Sequence, residues 1–519
     1  MIPLNTPQQA RELDKFAITK LGILGSLLME SAANNLFNIF HEIYPVSEYS
    51  NVLIVCGKGN NAGDGICLGR LLVCAGYDVT LLLAYTPDLF SGDALQQYTI
   101  FKNLSLISKQ AVIKFLPAKK FNFTGYDVIV DALLGSGSKL PLDSKMSKLV
   151  AEINLSSVEK FAIDAPTGVD SESGYSEDVA FKADVTVSLG NLKQGLFFSN
   201  GYVNSGAVYF AGIGIPDDIV GYGLSSVYLI EPHDVNVLLP KKRKDIHKYS
   251  AGKVLSVCGS VEYPGAGLLC SAAAFRVGAG SSVLAFPKSL QKFAHTSKNA
   301  SLVVRKYDDS RLGHLRAINL NELKDDLQKS DVVLTGCGLG RNADTKDAVN
   351  KMIQENPSKK IVVDADALNS IVWKNNSKKY TNCIFTPHLG EFSKMLGLDT
   401  SEIRKNTLNY GKKFSSKHNC VLVLKDYRSL IFSPTGEVFI CPVGNSGLAK
   451  LGSGDVLSGM IAGIYSQIKK PLEAAICAVY LHGLAADILQ ETHSTLGYTS
   501  TDLVDQIPFT IKFLENSCA

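Results

Sequence analysis

Short apolar runs rich in Val, Ile and Leu recur along the chain, and most are followed by a stretch with apolar residues at helical spacing. This alternation predicts strands joined by helices, and hence parallel sheets covered on both faces. In the first half, residues 8–43 read as helix, with Leu27, Leu28, Leu36, Ile39 and Phe40 on helical spacing. Strands are expected at Asn51–Cys56, Val79–Ala84, Tyr126–Asp131, Glu159–Asp164, Ala183–Leu189 and Ala207–Gly212, with a helix at Ile66–Ala75. The pattern starts again at Lys253. Strands are expected at Lys253–Cys258, Ser282–Phe286, Asp331–Thr335, Lys360–Asp364, Cys383–Thr386 and Cys420–Lys425, with Gly436–Cys441 as a hairpin partner. Helices are expected at Gly265–Ala279, Gly459–Gln467 and Leu472–Gln490, the last two closing the chain. The fold class is α/β in two domains, 1–220 and 221–519. Residues 231–250, with Pro232, Pro240 and the basic run Lys241–Lys244, form the entrance to the second.

Several strands end at a glycine-containing loop. Gly444–Gly459 reads G-N-S-G-L-A-K-L-G-S-G-D-V-L-S-G and runs into a helix. Unpaired N–H groups and the positive end of the helix dipole suit such a place to phosphate. Bound phosphate repels an aspartate, so Asp455 has either a capping role in a Gly/Ser turn or a proton to take from an attacking hydroxyl. In the first half, Asn51–Cys56 meets G-K-G-N-N-A-G-D-G at Gly57–Gly65. This loop satisfies a loose G-x-G-x-x-A, but the next strand ends Leu83-Ala84-Tyr85 with no acidic residue for a ribose, and no Gly-Lys-Ser/Thr follows. Asn60, Asn61 and Asp64 add polar groups suited to a sugar, a diphosphate or a cation. Asp131 and Asp164 each end a strand at a glycine-containing loop, which puts them at the carboxyl edge of the sheet with the Asn/Gly loop. His388 and Glu391 are compatible with a metal pair, substrate contact or helix capping. His482, on an apolar helix, reads as a satisfied core histidine.

Composition narrows the classes. The chain has 519 residues, 46% hydrophobic and 19% charged, with net charge +3, which offers no electrostatic footprint for nucleic acid or an anionic membrane. Eleven cysteines are scattered without a C-x-x-C pair or zinc spacing, and Cys56, Cys258 and Cys337 read as buried small hydrophobes in a reducing compartment. Residues 1–20 lack the apolar core of a signal peptide, and no apolar run of about 18 residues is expected to span a membrane.

These stretches, taken together and in order, resemble the bifunctional NAD(P)H-hydrate repair enzymes, which join an epimerase to a nucleotide-dependent dehydratase. The first half carries G-K-G-N-N-A-G-D-G at 57–65, D-A-L-L-G-S-G at 131–137 and I-D-A-P-T-G-V-D at 163–170. The second carries G-C-G-L-G at 336–340, V-D-A-D-A-L-N at 363–369, T-P-H-L-G-E-F at 386–392 and the loop at 444–457. The resemblance implies two three-layer αβα domains, the N-terminal Rossmann-like and the C-terminal ribokinase-like. It implies interconversion of the R and S hydrates of NADH and NADPH, then dehydration of the S form. ADP with Mg²⁺ is the expected donor, giving AMP and phosphate.

Residue roles follow from the same resemblance. Asn60, Asn61, Ala62, Gly63, Asp64, Gly135, Ser136, Gly137, Ser138, Lys139, Leu140, Pro141 and Asp164 would hold the hydrate in the epimerase, with Asp164 and Lys193 as acid/base candidates. Asn61, Asp131 and Thr167 would bind K⁺. In the dehydratase, Ala266, Gly338, His388, Leu389, Gly390, Glu391 and Asp455 would line the hydrate site. Lys425, Asp426, Tyr427, Arg428 and Ser429 would bind the nucleotide with Asn445, Ser446, Gly447, Leu448, Ala449, Lys450, Leu451, Gly452, Ser453 and Gly454. Asp455 would be the base. Three positions depart from the usual motifs: Ser453 stands for threonine, Ala62 for a common glycine in the first loop, and Asp426 follows Lys425 where glycine is usual, an acidic group set against the donor's phosphates. The expected partners are small molecules, with no nucleic acid and no membrane. The expected setting is cytoplasmic, and the expected assembly a homo-oligomer.

Overall fold

Asn51–Cys56 (β1) buries every residue but its first, as an apolar run in the middle of a parallel sheet must. Parallel to it lie Asp78–Leu83 (β2), Ala111–Phe115 (β3), Val128–Ala132 (β4), Glu159–Ile163 (β5), Val185–Leu189 (β6) and Ala207–Ala211 (β7), in the spatial order β3-β2-β1-β4-β5-β6-β7. The order in which strands are added reverses between β1 and β4, so the loops leaving these two parallel strands open a crevice at the carboxyl edge. Apolar clusters fill both faces, one around Leu36, Phe40, Ile66 and Phe101, the other around Leu53, Ile129, Leu149 and Phe181.

The second sheet repeats this logic. Nine of its eleven strands are Lys253–Val257 (β8), Ser281–Pro287 (β9), Val303–Tyr307 (β10), Val332–Thr335 (β11), Lys360–Val363 (β12), Cys383–Phe385 (β13), Val421–Leu424 (β14), Leu430–Phe432 (β15) and Val438–Ile440 (β16). They run in the order β10-β9-β8-β11-β12-β13-β14-β15-β16, parallel as far as β14 and antiparallel through β15 and β16. The switch point lies between β8 and β11. The helix Ser453–Ile468 packs against Pro264–Arg276 and against Pro471–Gln490, which packs in turn on Ser500–Ser517.

This computed structural model describes all residues except 118–119, 138–139, 178, 217–224, 242–243, 246, 248–249, 295–300, 374–376 and 519. The expected hydrate contacts Ser138 and Lys139, the boundary at 220 and part of the basic run therefore lie outside the described residues. The chain divides into Pro3–Val227 and Tyr228–Ala519, the latter with Met1–Ile2.

Four expectations need correction. Asn60–Gly65 is the first turn and a half of a helix, Asn60–Cys74, and not a loop: once Gly59 caps it, the polar Asn and Gly residues of the motif take helical geometry. A final helix, Ser500–Ser517, closes the chain. The strands β3, β10 and β15 lie where none was expected. One helix, Pro471–Gln490, is long and apolar enough to cross a membrane, contrary to the expectation, and most of that length is buried among its neighbours in the C-terminal unit.

Candidate active sites

In the N-terminal unit, backbone packing at the switch point sets the geometry. A side chain at Gly57 would strike the Leu133 carbonyl, so only glycine lets β1 and the loop after β4 come this close. On that loop, a methyl group at Gly135 would stand 3.2 Å from Asp164 Oδ2 and 3.3 Å from Asn61 Cγ. Asn61, Gly135 and Asp164 thus meet at one point. Asp164 has φ +67°, a left-handed conformation that costs a non-glycine residue of order 1 kcal/mol and is typically retained at sites of function.

Asp164 Oδ1 accepts from Lys193 Nζ at 2.5 Å, and Oδ2 accepts from the Ser136 amide at 2.9 Å. Lys193 is 2% exposed. Burial raises the Asp164 pKa, but Lys193 and the Ser136 amide outweigh it and hold the carboxylate below its usual range. Asp64 moves the other way. Burial, then the Asp164 and Asp14 charges, push it well above the carboxylate range. The site therefore drives two neighbouring carboxyl pKa values apart, one down and one up, the division expected where one group takes a proton and another gives it. Asp131 is fully buried and accepts from the Leu133 amide at 3.1 Å and from the Thr167 amide and hydroxyl at 2.7 and 2.8 Å. Burial still pushes its pKa up to about 6. The Asn61 amide donates to Leu134 O at 3.2 Å, and its buried Oδ1 has no partner. Asn61, Asp131 and Thr167 all converge on the Leu133–Leu134 peptides.

The helix expected over residues 8–43 divides into Pro7–Thr19 and Gly25–Ile43, and sequence reasoning missed what the first brings to the site. Asp14 on it feels the charges of Lys193 and Asp164, and Arg11 Nη1 reaches to 3.7 Å from where a side chain would leave Gly137. Nothing in the sequence marked these two. A backbone bridge from Asn5 to Lys193 positions them.

In the C-terminal unit the anchor is the first turn of Ser453–Ile468. Gly452 enters it at φ +91°, and Asp455 is its third residue. Lys425, at the end of β14, brings Nζ to 3.4 Å from where a Cβ would project at Gly454, so a cation stands beside the free amides of the helix. Lys425 also donates to Asp364 Oδ1 at 2.8 Å, and Ser458 donates to Oδ2 at 2.7 Å. Burial would raise Asp364, but the Lys425 charge holds it below the usual range. Asp455 has no such cover. Burial, Cys270 and Asp364 push it up to about 7, against smaller pulls from the Cys337 thiol and Lys425. A carboxyl poised at neutrality over a phosphate cradle is suited to general base work.

The surroundings hold this turn in place. His482 Nε2 lies 3.3 Å from Ser453 Oγ and 3.1 Å from its carbonyl, and burial lowers its pKa to about 4, so it is a neutral core histidine. The side chain of Asn445 is fully used, donating to Asp487 at 3.0 Å and accepting from Gly447 N and Tyr498 OH at 2.9 Å. Arg428 donates to Gly444 O at 2.9 Å, and Lys450 to Tyr498 O at 2.5 Å. Leu451 is 97% exposed and Tyr427 55%, which leaves apolar surface beside the cradle. Asp426, the departure from the usual motif, is engaged by the Arg404 fork at 3.0 and 3.1 Å, which compensates its charge. Gly338 touches Ala266 and Tyr263, as two residues of one pocket wall would. His388 caps Leu389–Leu396: Nδ1 accepts from the Gly390 and Glu391 amides at 3.0 and 3.2 Å, and Glu391 accepts in return from His388 N at 2.9 Å. Leu389 is buried. The capping explains their spacing, and the outer edge of His388, which is 60% exposed, still faces outward. Ser458, three residues after Asp455 on one helix face, was missed although helical spacing predicts it. Cys337, expected as inert packing, instead stands against Asp364 and Asp455.

A family model described as YjeF-related protein N-terminus matches residues 25–195, and one described as NAD(P)H-hydrate dehydratase matches residues 254–509. A relative named bifunctional NAD(P)H-hydrate repair enzyme from Thermofilum pendens is 31% identical over 97% of this chain and 95% of its own. One of the same name from Coxiella burnetii is 32% identical over 97% of this chain and 98% of its own. Among solved structures, a ribokinase-like superfamily protein from Enterococcus faecalis V583 aligns with TM-score 0.50 and 25% identity, over 56% of this chain and 96% of that one. The chain belongs to the family of bifunctional NAD(P)H-hydrate repair enzymes, joining an epimerase and a dehydratase of hydrated NADH and NADPH.

Proposed function

We propose that the two repair steps take place at the two switch points, with Asp164 and Lys193 serving epimerisation and Asp455 serving dehydration. The observation that carries the second role is the placing of a carboxyl with pKa about 7 in the first turn of a helix whose free amides share their space with Lys425. In this reading the S hydrate lies against Gly338, Ala266 and His388, and the nucleotide against Lys425–Ser429 and Asn445–Gly454. Tyr427 and Leu451 give a base an apolar seat. Asp455 takes the proton of the ring hydroxyl, whose oxygen attacks the donor's terminal phosphorus. The Gly454 region and Lys425 neutralise the charge that develops on the phosphoryl oxygens. Loss of the ring-bound phosphate then restores the double bond, so that hydrate and ADP give NAD(P)H, AMP and phosphate.

In the epimerase, Asn60–Asp64 and Gly135–Pro141 hold the hydrated dinucleotide, and Asp164 faces its ring. K⁺ is assigned to Asn61, Asp131 and Thr167. The donor set is oxygen only, and the unpartnered buried Asn61 Oδ1 suits a hard cation. Bound there, the ion would supply a fixed positive charge at the helix N-terminus. Mg²⁺ is taken as the counter-ion of the donor's phosphates. The domain limits 1–220 and 221–519, a homo-oligomeric state and a cytoplasmic setting complete the proposal. Phe509 and Phe513, exposed one turn apart on the last helix, support self-association, which sedimentation would test.

The deciding experiment follows the near-ultraviolet absorbance of the reduced nicotinamide. Mixed R and S hydrates are incubated with Mg²⁺, K⁺ and either ADP or ATP. Full recovery with ADP is expected. Recovery of the S fraction alone removes the epimerase assignment, and a better rate with ATP overturns the donor. A stable phosphorylated product without recovery would turn the reading toward a small-molecule kinase.

A further inference from the structure

A cluster beneath the dehydratase centre is unused by either reaction. Cys258 follows β8, Cys270 lies on Pro264–Arg276 and Cys337 follows β11. Their sulfurs all lie within 4.8 Å of one another, and the three residues are at most 1% exposed. Cys337 Sγ also shares a 4.8 Å neighbourhood with the carboxylates of Asp364 and Asp455. Simple packing of thiols needs no polar surroundings. Yet the hydroxyls of Ser256 and Ser271, both wholly buried, lie beside Cys270 and have no hydrogen-bond partner other than its sulfur. A sulfur is a weak acceptor as a thiol, and a thiolate at Cys270 would accept from both. Three sulfurs with two hydroxyl donors behind them form the inner and outer shells of a soft-metal site, and Cys337 alone joins it to the Asp364 and Asp455 carboxylates. Tetrahedral coordination with metal–sulfur bonds of about 2.3 Å places sulfurs about 3.8 Å apart, so little contraction is needed. The partly exposed Asp455 marks a path of entry from the cleft.

We propose that Cys258, Cys270 and Cys337 bind a thiophilic divalent cation of the zinc and cadmium class through their three sulfurs, beside Asp455, and that occupation stops the dehydratase. Binding forms three metal–sulfur bonds, releases the three thiol protons to solvent and transfers no electrons. Loss of activity rests on Asp455 being the base, whereas binding itself does not.

The test uses the full chain, reduced with a non-thiol phosphine and free of chelator, titrated with Cd²⁺. A thiolate-to-metal charge-transfer band is expected to saturate in step with the fall of dehydratase rate to below a tenth, while epimerase rate is unchanged, and chelator restores the rate. Cys258→Ala keeps its metal-free dehydratase activity, loses most of the band and resists Cd²⁺. Cys258→Ser repeats the result should the first variant fail to fold. A band of equal size in either variant, which would mean surface thiols such as the exposed Cys74, overturns the site. So does a wild-type dehydratase indifferent to Cd²⁺. Asp455→Asn separates the two readings: it keeps the charge-transfer band from the three sulfurs whatever it does to turnover.

Discussion

Two aspartates, each at the carboxyl edge of a parallel sheet, are driven in opposite directions by their neighbours. Asp164 has a lysine 2.5 Å away and stays ionised, whereas Asp364 takes the corresponding lysine in the other unit and leaves Asp455 to burial, near pKa 7. A base must be deprotonated to act, so dehydratase kcat/KM is expected to rise with pH through about 7 and level off above it. Asp455→Asn should lower dehydration by about 10²–10⁴-fold, the usual worth of general base catalysis, and leave epimerisation intact. A flat profile, or a variant that still turns over hydrate, would remove Asp455 as the base. Lys193→Met makes the converse case. It leaves the Asp164 carboxyl buried without its cation, and breaking such a pair costs about 3–5 kcal/mol unless the carboxyl takes up a proton. Epimerase activity should fall while dehydratase activity persists, which a coupled assay on pure S hydrate against mixed hydrates would read.

The elements show how far such sites are legible in advance. Strands β1, β4, β8 and β11 were found within a residue or two because strands buried on both faces are unbroken apolar runs. The edge strands β3 and β10 were not: β10 follows its two valines with Arg305 and Lys306, and is largely exposed. The closing helix carries Pro508 in its interior and a polar face, which obscures its period. Strand-end aspartates and glycine loops could be named because their chemistry is local. The groups that tune them could not, since Arg11, Asp14, Cys270 and His482 arrive from distant segments. His482 shows what this tertiary support is worth. It is buried and neutral beneath Ser453, with pKa about 4 against 6.5 when unfolded. Between these values the unfolded chain binds a proton that the folded chain does not, so stability falls as pH drops from 6.5 toward 4, by up to about 3 kcal/mol. Thermal melting of the wild type is expected to lose several degrees more than that of His482→Gln between pH 7 and 5. Equal losses would show that another group governs acid lability.

At the scale of the whole molecule, the groups proposed for each step fall within one unit. Asn61, Asp131, Asp164, Thr167 and Lys193 all fall within Pro3–Val227, and Asp364, Lys425 and Asp455 all fall within Tyr228–Ala519. On that assignment the two activities should separate cleanly by mutation and recombine in solution. With mixed hydrates and ADP, Asp455→Asn should recover no reduced nicotinamide, because it only exchanges R for S. Asp164→Asn should stop at the S fraction, because it consumes S without replenishing it. Mixed in equal amounts, the two variants should approach full recovery, since the hydrate released by one is the substrate of the other. A mixture that halts at the S fraction would mean that the R hydrate reaches the dehydratase only when both intact centres share one chain. That result would overturn the independence of the two sites while leaving each assignment standing.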